Sequence, residues 1–276
     1  MAMEPLVSGE WLKEHLNDKD LVIVDISSKS AYRKGHIPGA VHTDIKEWRR
    51  AHGGHALVRP IEEVEALMRE LGIDNGSRVV VYSHHSNAKD ILKPAYAVWA
   101  MELYGMKNTA ILDGGIESFK RAGGKLQRLP VKRRAGDFKA EPNMDIAIDL
   151  DGVKKRIGSV RMLDARPAVF YFGAKKQKVL KRAGHISGAT SYFWRYSFNS
   201  DGTMKPRTEL KRMLVDGLGL DPQKELVTYC TGGLETSMNY FVLHRLLRFE
   251  KAKLYDASMK EWANRDDTPM RLFRWE

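Results

Sequence analysis

Cys230 is the residue whose type and surroundings point most directly to covalent chemistry. It is the only cysteine among 276 residues. A strand-like run at 225–229 leads into it, and a helix-patterned run at 238–247 follows a glycine-containing loop. Backbone N–H groups converge where a loop opens a helix, and that arrangement favours the thiolate over the thiol. The alternative is a small buried hydrophobic residue, because free cysteine is among the most buried residue types.

The overall composition limits the classes of protein to which this chain can belong. Hydrophobic residues make up 43% and charged residues 29%, which is a globular composition. A length of 276 residues favours about two domains, and no apolar run approaches the roughly 18 residues that span a bilayer. A single cysteine excludes an internal disulfide and a cysteine-based metal cluster. Chemistry at Cys230 must therefore exchange with an external partner.

The charge is strongly basic. Lys and Arg number 46 against 35 Asp and Glu, which gives a net charge of +11. Such an excess can attract small anions or nucleic acid. The sequence has no zinc-finger, helix-turn-helix or RNA-binding signature, so small anions are the favoured partners.

Strands and helices are predicted to alternate along the chain. Strands at 21–25 and 78–82 are rich in β-branched residues, and a helix at 61–71 follows Pro60. A further helix is predicted at 95–104, after Pro94. This alternation indicates an α/β fold with mostly parallel sheets.

The first half of the sequence recurs in the second half, in the same order. Cys230 of the second copy corresponds to Ser83 of the first, so a single active site belongs to the second copy. The matched pairs are Val24-Asp25 with Leu163-Asp164, 35–40 with 184–189, 71–74 with 218–221, 81–83 with 228–230, and 111–113 with 254–256.

The repeat predicts two domains joined by a linker. The first covers 6–125 and carries Ser83 in place of the catalytic cysteine. A charged stretch without periodicity at 126–142 is interpreted as the linker. The second, catalytic domain covers 143–276 and contains an insertion at 171–181.

The sequence as a whole resembles the tandem-domain rhodanese-type sulfurtransferases, which include thiosulfate and 3-mercaptopyruvate sulfurtransferases. The resemblance covers about residues 6–269. It implies two tandem rhodanese-like domains, each with a mostly parallel central sheet flanked by helices. Four features carry it: the doubled strand-Asp followed by Gly-His-Ile-x-Gly-Ala, the Val-Thr-Tyr-Cys230 strand with its loop, residues 254–262, and the tail 264–269.

The resemblance implies a reaction in which Cys230 attacks the outer sulfur of a donor and becomes a persulfide. A thiol or cyanide then accepts that sulfur, so that one difficult step is divided into two. The loop is expected to surround the persulfide anion with backbone N–H groups, and the following helix dipole assists. The expected cradle is Thr231, Gly232, Gly233, Leu234, Glu235, Thr236 and Ser237.

Four of these residues have more specific predicted roles. Gly232 and Gly233 allow tight curvature, with a positive φ available at either. The hydroxyls of Thr236 and Ser237 can donate to the sulfur or cap the helix.

The charge of the loop departs from the thiosulfate-specific relatives, which often carry Arg or Lys there. This loop has no cation, and Glu235 would raise the pKa of the thiol and repel a dianion. An uncharged Thr231 is closer to the mercaptopyruvate-type loop. The substrate-binding cation is therefore expected outside the loop, at Arg182 or Arg166, or in the lysine-rich run at 175–181.

Residues repeated in both copies are expected to be structural, because they cannot all serve one active site. Asp25 and Asp164 are predicted to bond loop backbone, and His36 and His185 to hold their turns.

Two other functions stay open at this point. A phosphatase is disfavoured, because such enzymes need an arginine six residues after the cysteine and that residue is Thr236. A non-catalytic sulfur carrier or binding module is the alternative. We expect no cofactor, no metal, no nucleic acid and no membrane partner, and a monomer in the cytoplasm. A signal peptide already removed from the mature protein stays compatible with the sequence.

Overall fold

The computed structural model describes residues 3–276, which form two compact units. The first unit comprises the described residues up to Arg50, Val58–Asn143 and Ser200–Met204. The second comprises Ala51–Leu57, Met144–Asn199 and Lys205–Glu276.

The strands are short and are distributed along the whole described chain. They are β1 (Leu6–Val7), β2 (Leu21–Asp25), β3 (Val41–His42), β4 (Arg49–His52), β5 (His55–Val58), β6 (Arg78–Tyr82), β7 (Thr109–Leu112), β8 (Arg161–Asp164), β9 (His185–Ile186), β10 (Ala189–Ser191), β11 (Leu226–Tyr229), β12 (Ala252–Leu254) and β13 (Met270–Arg271).

Helices separate most of these strands. They are α1 (Gly9–Glu14), α2 (Lys29–Lys34), α3 (Ile45–Trp48), α4 (Ile61–Glu70), α5 (Ala88–Leu103), α6 (Gly115–Arg121), α7 (Leu150–Arg156), α8 (Ala168–Phe172), α9 (Arg207–Lys211), α10 (Leu234–Tyr240) and α11 (Ser258–Trp262). Wider π-type turns over Arg212–Gly217 and Phe241–Leu246 continue α9 and α10, and 3₁₀ turns lie at Met144–Ile146 and Trp194–Ser197. In the described part of the chain, no helix combines the length and apolar composition that a bilayer crossing requires.

Each unit is built on a parallel sheet, as the sequence predicted. The order in the first unit is β1-β7-β6-β2-β3, and every neighbouring pair is parallel. The second unit has the order β10-β8-β11-β12, again all parallel, and Ala147 extends it by a parallel bridge to Leu254. The two orders match when β8, β10, β11 and β12 replace β2, β3, β6 and β7. The prediction of two α/β copies is therefore confirmed.

The Gly-His-Ile turns of the two copies are held by the same contacts. In the first copy the ring of His36 stacks on Tyr32 at 3.7 Å between centroids, and its Nδ1 lies 2.9 Å from the Tyr32 carbonyl. In the second copy His185 stacks on Tyr171 at 3.8 Å, with the same 2.9 Å contact. All four side chains are buried or nearly so. Both histidines therefore have a structural role.

The stretch at 126–142, interpreted as a linker, is part of the first unit. The Gly136 N–H donates to the Arg69 carbonyl at 2.8 Å, and Phe138 is fully buried. Residues 126–142 form no helix or strand, apart from an isolated antiparallel bridge between Gln127 and His36. The domain boundaries drawn from the repeat stay a prediction.

One helix begins earlier than predicted. Helix α5 starts at Ala88, after Asn87 caps the Asp90 N–H at 3.1 Å, so Pro94 lies inside the helix and does not precede it. A proline has no N–H to give to the carbonyl four residues before it, which here is that of Asp90. The Ser83 hydroxyl donates to this carbonyl at 2.8 Å. Ser83 thus supplies the hydrogen bond that Pro94 withholds.

We expect Ser83→Ala to destabilise the protein by about 1–3 kcal/mol, because it leaves the buried Asp90 carbonyl without a donor. In a Pro94→Ala background the restored N–H can reach that carbonyl, so the same substitution should cost less. Urea unfolding of the four proteins in this double-mutant cycle measures the difference. Equal losses in both backgrounds would contradict the assignment.

Candidate active site

Cys230 is the first residue after β11, at the carboxyl end of the parallel sheet of the second unit. Its side chain is 1% exposed. The Cys230 N–H donates to Ser258 Oγ at 3.0 Å, and its carbonyl accepts from the Met259 N–H at 3.0 Å. The segment that follows β12 therefore holds the cysteine backbone on both sides.

Backbone donors converge on the sulfur. The N–H groups of Gly232 and Gly233 lie 3.3 and 3.2 Å from Cys230 Sγ, and the Thr236 N–H is directed at the same atom. Gly233 has φ +92° and stands at the start of α10, so its conformation requires glycine. The loop thus surrounds the sulfur with donors that do not titrate.

Gly232 serves a different purpose from the one predicted. Its φ is not positive, so backbone conformation does not require glycine there. A Cβ at Gly232 would lie 3.1 Å from Cδ of Lys260. Gly232 therefore makes room for the Lys260 side chain, which crosses the loop at this point.

The two hydroxyls expected to reach the sulfur are used elsewhere. Thr236 Oγ1 lies 2.7 Å from Thr228 Oγ1, on the strand below. The Ser237 hydroxyl donates to the Leu234 carbonyl at 2.7 Å within the first turn of α10. Gly233 takes the position before the helix, so neither hydroxyl caps it or bonds the sulfur.

The electrostatics of the site favour the protonated thiol, contrary to the expectation of a thiolate. The pKa of Cys230 is raised to about 12, mainly by burial and to a smaller extent by the negative charge of Glu235. The N–H groups of Gly232, Gly233 and Thr236 lower the pKa but do not offset these two effects. The effect of desolvation on the pKa exceeds the effect of the cradle N–H groups, because the sulfur is almost completely shielded from water.

Glu235 lies beside the loop and is partly buried. Its Oε2 is 3.3 Å from the Thr231 hydroxyl, which donates more closely, at 2.9 Å, to Gln177 Oε1. Gln177 belongs to the inserted run at 171–181, so that run reaches the cradle. Burial and the nearby Asp164 raise the pKa of Glu235.

Arg166 is not available to a donor molecule, contrary to the prediction. It is 1% exposed, and its guanidinium grips the Asp164 carboxylate through Nε and Nη2, at 3.0 and 2.5 Å from Oδ2. Nη2 also donates to the Gly184 carbonyl at 2.8 Å. The arginine therefore compensates a buried carboxylate and fixes the turn that begins at Gly184.

Arg182 is also engaged in the fold. Its Nη1 donates to the Thr268 carbonyl at 2.8 Å, and its Nη2 to the Trp262 carbonyl at 3.0 Å and to Thr268 Oγ1. These bonds close the turn between 262 and 268. Its assignment to the substrate stays a prediction, and the structure shows a structural use for the same guanidinium.

Sequence reasoning missed Ser258 as a contributor to the site. Ser258 has φ +54°, a conformation uncommon for a residue with a side chain. The aligned residue of the first copy is Gly115, with φ +58°. The repeat could have revealed this, because serine stands where the other copy has a glycine. Its hydroxyl donates to the Tyr255 carbonyl at 2.7 Å while accepting from the Cys230 N–H.

The geometry of the site and the doubled fold agree with a comparison to known families. The model of the rhodanese-like domain matches this chain twice, over residues 8–122 and 149–265. The chain belongs to the rhodanese family.

Individual rhodanese-family relatives match over nearly their full length. A Saccharopolyspora erythraea protein named "Putative thiosulfate sulfurtransferase" is 33% identical over 97% of this chain and 96% of its own. The sulfur carrier protein TtuD of Thermus thermophilus is also 33% identical, with the same coverage. The crystal structure of SseA from Escherichia coli, described as a 3-mercaptopyruvate sulfotransferase, superimposes with a TM-score of 0.80 at 26% identity, over 93% of this chain and 99% of that one.

We expect Glu235→Gln to speed alkylation of Cys230 by iodoacetamide at pH 8 by about threefold to tenfold. Removing the negative charge lowers the pKa of the thiol, and the larger thiolate fraction outweighs its lower intrinsic nucleophilicity. Because the pKa of Cys230 is about 12, the rate should rise with pH across the accessible range in both proteins.

The matched control is Glu250→Gln. Glu250 is exposed and precedes β12, at the opposite end of the sheet from Cys230. The Glu250→Gln substitution removes the same charge and should leave the alkylation rate of Cys230 unchanged. An unaltered or slower rate in Glu235→Gln would contradict the role given to Glu235.

Proposed function

We propose that this rhodanese-family protein transfers a sulfane sulfur from an anionic donor to a thiol or cyanide through a persulfide on Cys230. The observation that carries the proposal is the pair of N–H groups of Gly232 and Gly233, at 3.3 and 3.2 Å from Sγ. Neutral donors that cannot lose a proton stabilise a sulfur anion at any working pH. The first copy has no thiol at the equivalent position, Ser83, so the reaction belongs to the second.

With thiosulfate, the Cys230 sulfur attacks the outer sulfur and the bond to the sulfonate sulfur breaks. Sulfite leaves with the electron pair, and the thiol proton passes to solvent or to sulfite. With 3-mercaptopyruvate, the carbon–sulfur bond breaks, and the enolate of pyruvate leaves and takes up the proton. In both cases the enzyme holds Cys–S–S⁻ or its protonated form. Cyanide or a thiolate then removes the outer sulfur and regenerates Cys230.

The names of the relatives support two candidates for the sulfur donor. The Saccharopolyspora relative is named for thiosulfate and SseA for 3-mercaptopyruvate. The uncharged Thr231 and the nearby carboxylate of Glu235 favour a singly charged carboxylate over a dianion, because repulsion grows with the charge of the donor. We therefore place 3-mercaptopyruvate ahead of thiosulfate.

A sulfur carrier is the second candidate, and two observations favour it. The Thermus relative is named a sulfur carrier protein. Cys230 is also more deeply buried and less acidic than a rapidly turning-over nucleophile requires. A carrier would form the persulfide and release it only to a specific partner.

Phosphatase chemistry finds no support in the site. The residue six positions after Cys230 is Thr236, whose hydroxyl lies 2.7 Å from Thr228. No guanidinium stands there to hold a phosphoryl group. A monomeric state and a cytoplasmic location stay predictions from the sequence.

We expect intact-mass analysis to show a gain of one sulfur after incubation with 3-mercaptopyruvate, and a slower gain with thiosulfate. The reason is the Glu235 charge, which repels the dianion more strongly. Cys230→Ser is the control and should gain nothing. Transfer of many sulfur atoms to cyanide per protein molecule identifies an enzyme. Transfer of a single sulfur atom per protein molecule identifies a carrier. No gain with either donor would contradict sulfur transfer by Cys230.

A further inference from the structure

We propose that Lys260 supplies the positive charge that holds the donor anion at the mouth of the cradle. This inference rests on the proposed sulfur transfer, because it assumes the same anionic donor. It assigns the positive charge that the loop itself lacks. Lys260 lies on α11, outside the loop, within the 254–262 motif.

The backbone places Lys260 directly beside the loop. Its N–H donates to the Thr231 carbonyl at 2.9 Å, one residue after Cys230. The neighbouring Met259 N–H donates to the Cys230 carbonyl at 3.0 Å. These two bonds fix the start of the Lys260 side chain against the residues that follow the cysteine.

The side chain then runs across Gly232. Its Cγ, Cδ and Cε lie 3.7, 3.1 and 3.6 Å from the position that a Cβ on Gly232 would occupy. Gly232 is the residue whose N–H donates to Sγ at 3.3 Å. Lys260 is half-buried, as expected for a lysine whose aliphatic stem packs on the loop.

The Lys260 ammonium is uncommitted, unlike Arg166, Arg182 and Lys176. Across residues 3–276 it has no carboxylate within ion-pair distance. Arg166 is paired with Asp164, and Arg182 bonds the carbonyls of the 262–268 turn. Lys176, in the inserted run, donates to the Leu180 carbonyl. Lys260 is therefore the cation that combines a fixed position at the loop with an available charge.

A cation at this position would offset the negative charge of the nearby carboxylate. Glu235 lies beside the loop and raises the pKa of Cys230, so an incoming anion meets negative charge. A lysine ammonium is a mobile point charge, which suits donors whose anionic ends differ in shape, such as a sulfonate and a carboxylate. It acts on the outer end of the donor and leaves the acidity of the cysteine to burial and Glu235.

The test uses reagents that differ only in charge. Iodoacetate is an anion and iodoacetamide is neutral, and both alkylate Cys230. We expect Lys260→Met to lower the ratio of the iodoacetate rate to the iodoacetamide rate about threefold, and the rate of persulfide formation with thiosulfate about tenfold. Lys260→Arg should retain the wild-type ratio. The advantage of wild type over Lys260→Met should shrink as salt increases.

Two further variants separate this effect from general ones. Lys251→Met removes one positive charge at the opposite end of the sheet, where Lys251 is exposed, and should leave the ratio unchanged. Lys260→Gln, a second neutral variant, should reproduce the fall. An unchanged iodoacetamide rate and pH profile in the Lys260 variants shows that the cysteine and its cradle are intact.

The outcomes distinguish this inference from the function on which it rests. If wild type gains no sulfur from either donor, sulfur transfer fails, and the alkylation ratio still tests Lys260. If sulfur transfer succeeds but the ratio and the thiosulfate rate are the same in Lys260→Met and wild type, the assignment of Lys260 is overturned. An equal fall in Lys251→Met would overturn it as well.

Discussion

A sulfur atom buried at the end of a parallel strand is the constraint on which the second unit depends. Cys230 is 1% exposed, and this burial is the main reason that the pKa of the thiol is raised to about 12. Any sulfur anion formed there needs donors that occupy little space and do not titrate, and main-chain N–H groups meet both needs. The positive φ of Gly233 and the bond from the Cys230 N–H to Ser258 Oγ, 3.0 Å long, both serve to aim those groups.

The two copies show how one framework has been put to different uses. At the position after the central strand, the Ser83 hydroxyl bonds the carbonyl that Pro94 leaves open in α5. Its counterpart Cys230 has no such duty, and its sulfur faces backbone donors. The left-handed residue that follows the next strand is Gly115 in one copy and Ser258 in the other. The strained backbone of Ser258 is held in place by its hydrogen bonds, and its hydroxyl in turn anchors Cys230.

The charges of the second unit divide into those that build the fold and those that face its surface. Arg166 is paired with Asp164, and the planar guanidinium of Arg182 donates to two carbonyls of one turn. Guanidinium groups suit such fixed, multiple bonds. The cradle consequently contains a carboxylate, Glu235, with no arginine of its own loop to balance it, and the charge of the site depends on elements that are distant in sequence.

The sequence by itself determined the fold class, the duplication and the candidate nucleophile. These features are sequence patterns that can be read without coordinates. They are the alternation of strands and helices, the ordered recurrence of motifs such as Gly-His-Ile, and a lone cysteine that aligns with Ser83 of the first copy. Only the tertiary structure decided which side chains surround the sulfur. Segments 28 residues apart, such as Cys230 and Ser258, meet because parallel strands end at the same edge of a sheet. The start of α5 was misjudged because Ser83, eleven residues before Pro94, supplies a bond that sequence rules treat as missing. The loop sequence predicts that Glu235 raises the pKa of Cys230, but it cannot predict the larger effect of burial, because burial is a property of the packed unit.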